Sequence, residues 1–245
     1  MRGWWQELAG LVLPVDCAGC GALRVLVCAG CREVLSGAGE GPVRPSPSPA
    51  GLPVVRAAAV YEGAVRSLLL AHKERGALPL AGVLGGALAA AVLAGGCRAA
   101  GGAGEVALVP VPSARGQVRA RGHDPARRIA FSAAGRLRRA GVPARVAPVL
   151  GLRRAVADQA GLGARQRREN LAGALAVRRG GRRLLAGAAR IVLVDDVITT
   201  GATLAEAARA VRAAGLVGGP GAVVRAAVVA APADSFRRIE RAPGV

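Results

Sequence analysis

Arg190-Ile-Val-Leu-Val-Asp-Asp-Val-Ile-Thr-Thr-Gly-Ala-Thr-Leu204, followed by Ala-Glu-Ala-Ala-Arg-Ala-Val-Arg-Ala-Ala-Gly215, decides the fold. Ile191 to Val194 is a short apolar run rich in β-branched residues, the pattern of a strand buried on both faces. Asp195 and Asp196 stand at its C-terminal end, where open α/β sheets place their ligands. Thr199, Thr200, Gly201, Ala202 and Thr203 form a small, hydroxyl-bearing turn. A helix follows, with Leu204, Ala208 and Val211 on one face, Glu206 in the first turn, Arg209 and Arg212 late, and Gly215 as the stop.

Strand, acidic pair, small turn and helix together imply a phosphate site. Free N–H groups at a helix N-terminus, behind small side chains, attract phosphate, and Gly201 allows close backbone approach. Two carboxylates beside a phosphate cradle would face something other than more phosphate: vicinal ribose hydroxyls or a hydrated cation. A 5-phosphorylated sugar fits the whole arrangement. The competing reading is a buried strand with an acidic, solvated turn.

Two further features frame this unit. Cys17-Ala-Gly-Cys20 and Cys28-Ala-Gly-Cys31 are C-x2-C knuckles separated by seven residues. Four sulfurs converging on one point satisfy a tetrahedral zinc ion with no open position, so the metal would be structural. Two disulfides are the alternative, but no secretion signal supports an oxidising compartment and the expectation is cytoplasmic. Cys97 reads as a small buried hydrophobe. Residues 36–53, dense in Gly, Pro and Ser, read as a linker. The expected organisation is a four-cysteine zinc module over 1–40, a linker over 41–53 and an α/β domain over 54–245.

The chain of 245 residues is long enough for one such domain plus a small module. It carries a net charge of +19 with 2% aromatic residues. The charge points to polyanionic partners, phosphorylated substrate or nucleic acid, against the plainer reading of a soluble arginine-rich surface. With few aromatics, binding to single-stranded DNA would be mostly electrostatic. The uncharged run 77–97 is rich in Ala and Gly and reads as a helix packed inside the domain, so no stable membrane insertion is expected.

The run Val192 to Thr203 resembles the phosphoribosyl pyrophosphate (PRPP) motif of type I phosphoribosyltransferases. The four cysteines, the Tyr61-Glu-Gly-Ala-Val-Arg66 stretch with Lys73 and Gly76, and Val109-Pro-Val-Pro112 followed by Arg121-Gly122 are similar to the ComF/GntX branch. That resemblance implies a type I phosphoribosyltransferase fold, a mostly parallel sheet flanked by helices, binding PRPP with magnesium on its pyrophosphate. Thr199 to Thr203 would hold the 5-phosphate, and Asp195 and Asp196 the ribose hydroxyls. A loop at Pro112 and Ser113, with Arg121, would bind the pyrophosphate. A mobile loop carrying Arg165, Arg167 and Arg168 would fold over it. The implied activity is a glycosyltransferase reaction, phosphoribosyl transfer to an unidentified acceptor. The alternative is a PRPP- and single-stranded-DNA-binding accessory protein of DNA uptake.

The sequence departs from that branch at His123-Asp124-Pro125, where the family pattern has Phe-Asn-Gln. His123 could hold a polar contact that Phe cannot, and Asp124 can cap a helix with Pro125 at its first position. Lys73 reads as a cation at a helix C-terminus, and His72 as a satisfied surface histidine.

Overall fold

The computed structural model describes residues 16–36, 41–97, 104–154, 164–215 and 223–236. Eight strands and eight α-helices among them form a mixed α/β architecture, a sheet flanked by helices. The main sheet has six strands: β1 (Gly41–Val43), β2 (Val55–Val60), β3 (Val106–Pro110), β4 (Ala144–Val146), β7 (Arg190–Val197) and β8 (Val223–Ala231). Their order is β1-β2-β8-β7-β3-β4, and every pairing is parallel except β1 with β2. β5 (Leu150–Leu152) and β6 (Leu175–Val177) form a separate antiparallel pair.

Alternation along the strands divides the core into two layers. Val106, Leu108, Val192, Val194, Ala227 and Val229 face one side. There they meet α2 (Gly63–Glu74), α3 (Ala81–Ala94) and α5 (Pro125–Arg139). Ala107, Val109, Ile191, Leu193, Ala226 and Val228 face the other side, against Leu204, Ala207, Ala208 and Val211 of α8 (Ala202–Ala213). The central strand is therefore buried on both faces, as its uninterrupted apolar run requires.

The order of connections creates the site. From β3 the chain passes through α5 to β4 on one side, whereas from β7 it passes through α8 to β8 on the other. β3 and β7 are neighbours, so the loops after them part company at their C-terminal ends, the topological switch point at which open α/β sheets form their binding crevice.

Several local expectations are revised. β4 ends at Val146 and β5 begins at Leu150, separated around Pro148, which has no N–H for a ladder. The segment 41–53 is not a free linker. Gly41–Val43 pairs with β2, and Pro45 and Leu52 pack on the central turn. The cysteine module also shares the main core, since Cys17, Val27, Cys31 and α1 (Ala29–Ser36) through Leu35 cluster with Val65, Leu68 and Leu84. The run 77–97 holds, as expected, a packed helix, α3 over Ala81–Ala94, and no helix among the described residues is long and apolar enough to cross a membrane.

Three further helices precede the central turn, the first two being α4 (Arg115–Arg121), which Gly122 terminates at φ 75°, and α6 (Ala164–Leu171). The described part of the expected mobile loop is thus helical. The short α7 (Gly181–Leu185) precedes β7.

Candidate functional site

Asp195 and Asp196 close the central strand at the crevice. Asp196 is 7% exposed and Asp195 half-buried. Their carboxylates fold back on the chain: Asp195 Oδ1 accepts from the Asp196 amide and Asp196 Oδ1 from the Val197 amide, both at 2.9 Å. The remaining Asp196 oxygen meets the chain's only lysine, with Lys73 Nζ 2.9 Å from Oδ2. Lys73 sits in the last turn of α2, so the helix-end cation of the sequence is also the counter-ion of the acidic pair.

This contact makes the two neighbours electrostatically different. Burial and the adjacent Asp196 charge push the Asp195 carboxyl well above the usual carboxylate range. Burial also pushes Asp196 upward, but the Lys73 ammonium outweighs it and holds Asp196 low, hence ionised. Burial alone would lower Lys73; the two aspartates reverse that and keep it charged. The site thus sets a carboxyl that holds its proton more tightly beside a carboxylate and an ammonium.

Gly201 adopts φ 74° at the N-cap of α8, a conformation that favours glycine. A Cβ there would lie 3.1 Å from Leu52 and 3.2 Å from Pro45. Its lack of a side chain therefore serves the packing of the 45–52 segment as well as the turn. Thr200 Oγ1 accepts from the Ala202 amide at 3.4 Å, Thr199 is exposed, and Thr203 lies in the first helical turn. Asp195, Asp196 and the turn 199–203 come together at one edge of the crevice.

The opposite edge holds Pro112 and Ser113, after β3. The Ser113 amide points at Asp124 Oδ2 at 3.4 Å, and Asp124 also caps α5 by accepting from the Arg127 amide at 3.0 Å, with Pro125 at the first helical position. Arg121 makes a two-pronged ion pair with Glu74, both contacts at 2.8 Å. Arg165 lies in α6, and its side chain is outside the described structure, as are those of Arg167 and Arg168. Arg154 donates to the Asn170 and Ala172 carbonyls at the end of α6.

His72 is not a surface residue. It is 1% exposed and its ring centroid lies 5.4 Å from that of His123, itself 7% exposed. The spacing Val65, Leu68, Leu69, His72 is the i, i+3, i+4, i+7 stripe that places His72 on the buried face. Glu206 is likewise buried. It accepts from the Leu175 amide at 3.0 Å and pairs with Arg209, which donates to the Leu175 carbonyl at 2.9 Å. The pair fastens α8 to β6.

The four knuckle cysteines converge. Their sulfurs all lie within 4.8 Å of one another, Cys20 and Cys28 at 3.5 Å. A tetrahedral site with metal–sulfur bonds of about 2.3 Å has sulfur–sulfur edges of about 3.8 Å. The four thus fit one closed four-sulfur site. Amides support the sulfurs, Cys28 N donating to Cys17 Sγ at 3.3 Å and Cys31 N to Cys28 Sγ at 3.5 Å. Burial pushes the Cys17 thiol up, but the amides of Cys28, Cys20 and Gly19 bring it down to about 6. Burial and the neighbouring cysteines raise Cys31. Four thiolates this close need a cation between them. Cys97 is buried, as expected.

The chain matches no protein-family model and no curated protein.

Proposed function

We propose that the crevice between β3 and β7 binds phosphoribosyl pyrophosphate in a type I phosphoribosyltransferase-like fold. The observation that carries this reading is the acidic pair at the switch point, beside the Gly201 turn and the α8 N-terminus. Asp196, ionised against Lys73, and the adjacent Asp195 offer carboxyl oxygens to two vicinal hydroxyls. The α8 amides and the threonine hydroxyls face the 5-phosphate, and magnesium enters on the pyrophosphate. Lys73 and Arg121 supply positive charge for that pyrophosphate. Arg165 joins them from α6. The four cysteines hold a structural zinc ion.

In the catalytic form of this proposal, an acceptor nucleophile attacks C1 of the ribose as pyrophosphate leaves, through an oxocarbenium-like state. Positioning and charge stabilisation do the work. Calorimetry with PRPP and magnesium tests binding. A hydrogen bond to the charged Asp196 is worth roughly 1.5–3 kcal/mol, so Asp195→Asn with Asp196→Asn weakens binding by at least about tenfold. Equal affinity in the two proteins would place the sugar elsewhere. Pyrophosphate release with a panel of nucleobases separates a transferase from a binding protein.

A second reading, single-stranded DNA binding, draws support from the outer face of α5. Phe131 is 52% exposed, and the Arg127 guanidinium lies 5.7 Å from its ring centroid. Residues 111–154 contain eleven arginines against one acid, Asp124. An exposed ring beside a guanidinium, in a segment with this excess of arginine, suits bases and phosphates together. In anisotropy measurements with a labelled oligonucleotide, affinity should fall steeply with salt, and Phe131→Ala should weaken it. Binding that resists salt, or no binding at low salt, counts against this reading.

A further inference from the structure

The loop from β1 to β2, residues 44–54, has the prolines and serines of a linker, yet it closes into a pocket of its own. The Arg44 amide donates to the Ser235 carbonyl at 2.7 Å, the Leu52 amide to the Pro49 carbonyl at 3.3 Å, and the Arg212 guanidinium to the Gly51 carbonyl at 2.8 Å. Pro45, Pro49 and Pro53 are buried. Held at these points, the loop encloses a cavity of about 370 Å³. That is near the lower end of the range of small-molecule sites, roughly 300–1,000 Å³.

The lining determines what fits. Pro42, Pro49 and Pro53 give flat apolar walls with a fixed backbone φ, so little freedom is lost when a guest enters. Val54, 62% exposed, leaves an apolar side chain in water at the pocket. Arg44 is the one charged residue of the lining and Ser48 the one hydroxyl, and no acid takes part. Among the described residues no carboxylate lies within ion-pair distance of Arg44. Flat apolar walls and one uncompensated cation suit a flat apolar body that carries one negative charge.

We propose that the 44–54 loop binds a small aromatic carboxylate, its ring against the proline walls and its charge on Arg44. The pocket is built from one hairpin connection and shares no lining residue with the crevice, so it stands apart from the PRPP reading. It is still a neighbour of the central turn. Leu52 lines the pocket, and a Cβ on Gly201 would lie 3.1 Å from the Leu52 side chain. A guest that shifts Leu52 is therefore felt at the Gly201 turn.

The test uses the full chain, with valine and leucine methyls and backbone amides labelled for NMR, and three probes: benzoate, benzyl alcohol and acetate. Benzoate should move the Val54 and Leu52 methyl resonances along one saturable curve, with a Kd of roughly 1–10 mM for a probe of this size. The Gly201 amide should follow the same curve. Benzyl alcohol keeps the ring without the charge and should bind about fivefold more weakly, the worth of one partly exposed ion pair. Acetate, which lacks the ring, should not saturate. Arg44→Gln should bring benzoate down to the level of benzyl alcohol. Val54→Asp, at an exposed position, should abolish benzoate binding and leave the melting temperature little changed. No saturable movement with benzoate, or movement confined to methyls outside the pocket, would overturn the proposal. Equal benzoate affinity in wild type and Arg44→Gln would overturn it too, because the charge would then have no partner in the pocket. Saturation at Val54 with an unmoved Gly201 amide overturns the link to the turn. No arm uses PRPP, so failure here leaves the crevice reading as it was, and failure of that reading leaves the pocket in place.

Discussion

Lys73 Nζ lies 2.9 Å from Asp196 Oδ2, a contact between residues at the ends of a helix and a strand far apart in the chain. It holds Asp196 in the charged form, and burial together with that charge pushes the Asp195 carboxyl beside it upward.

Single substitutions of the pair should therefore act in opposite directions. The Asp195 pKa is raised on folding, so its favourable contribution is present below the unfolded value of about 3.9 and is lost as pH rises through the folded one. Asp195→Asn keeps the acceptor for the Asp196 amide, removes that cost, and should raise the melting temperature at neutral pH. The Asp196 pKa is depressed, so its contribution is present above the unfolded value and lost as pH falls through the folded one. Asp196→Asn should destabilise, by about 1 kcal/mol once solvent at the partly exposed Lys73 is allowed for. Thermal melts of the two variants across pH check the signs. A loss of stability in Asp195→Asn at neutral pH would show that the carboxyl is ionised.

The Gly201 turn gives a second test. Gly201→Ala forces a side chain into the left-handed region, at roughly 1–2 kcal/mol, and drives its Cβ against Leu52 and Pro45. Gly201→Val should be worse. Leu52→Ala in the Gly201→Ala background should recover the contact part of the loss but not the backbone part. Denaturant midpoints of the four proteins measure this. Strict additivity would mean that Leu52 does not press on the turn.

How much of this was legible in the sequence follows from where the partners lie. β7, the turn and α8 were readable because strand, acid pair, small residues and helix are contiguous. The Asp124–Pro125 cap and the buried Cys97 were readable for the same local reason. The Lys73–Asp196 bridge and the Glu206–Leu175 link were not, since each joins segments whose approach depends on strand order. His72 could have been placed in the core from its seven-residue spacing to Val65; its polarity argued the other way. Composition misled at 41–53, where prolines and glycines suit an edge strand and a packed turn as well as a linker.

Glu206 should make stability sensitive to acid. Burial raises its pKa, but Arg209 and the amide of Leu175 outweigh burial and depress it. Its contribution is present above the unfolded value of about 4.3 and is lost as pH falls through the lower folded value. Glu206→Ala removes that dependence and leaves the Leu175 amide without its acceptor, a loss of about 1–3 kcal/mol. Urea midpoints at acid and neutral pH should converge for the two proteins as pH falls. A constant gap would assign the loss to packing alone.

The cysteine cluster predicts about one zinc ion per chain, the stoichiometry of a four-thiolate site. Cys97→Ser should leave that content unchanged, because Cys97 is buried and lies outside the cluster. Gly19→Ala should lower it: the added Cβ would stand 2.7 Å from Cys31 Sγ and 3.3 Å from Ala64 Cβ, with the knuckle on one side and α2 on the other. Because Cys17, Val27, Cys31 and Leu35 pack in the same core as Val65 and Leu68 of α2, removal of the metal should not release an independent module. Chelation should lower the melting temperature of the whole protein in one transition and increase hydrogen exchange along α2, the helix that ends in Lys73. Purified protein with four free thiols, no bound metal and an unchanged melting temperature after chelation would show that the sulfurs converge without holding an ion.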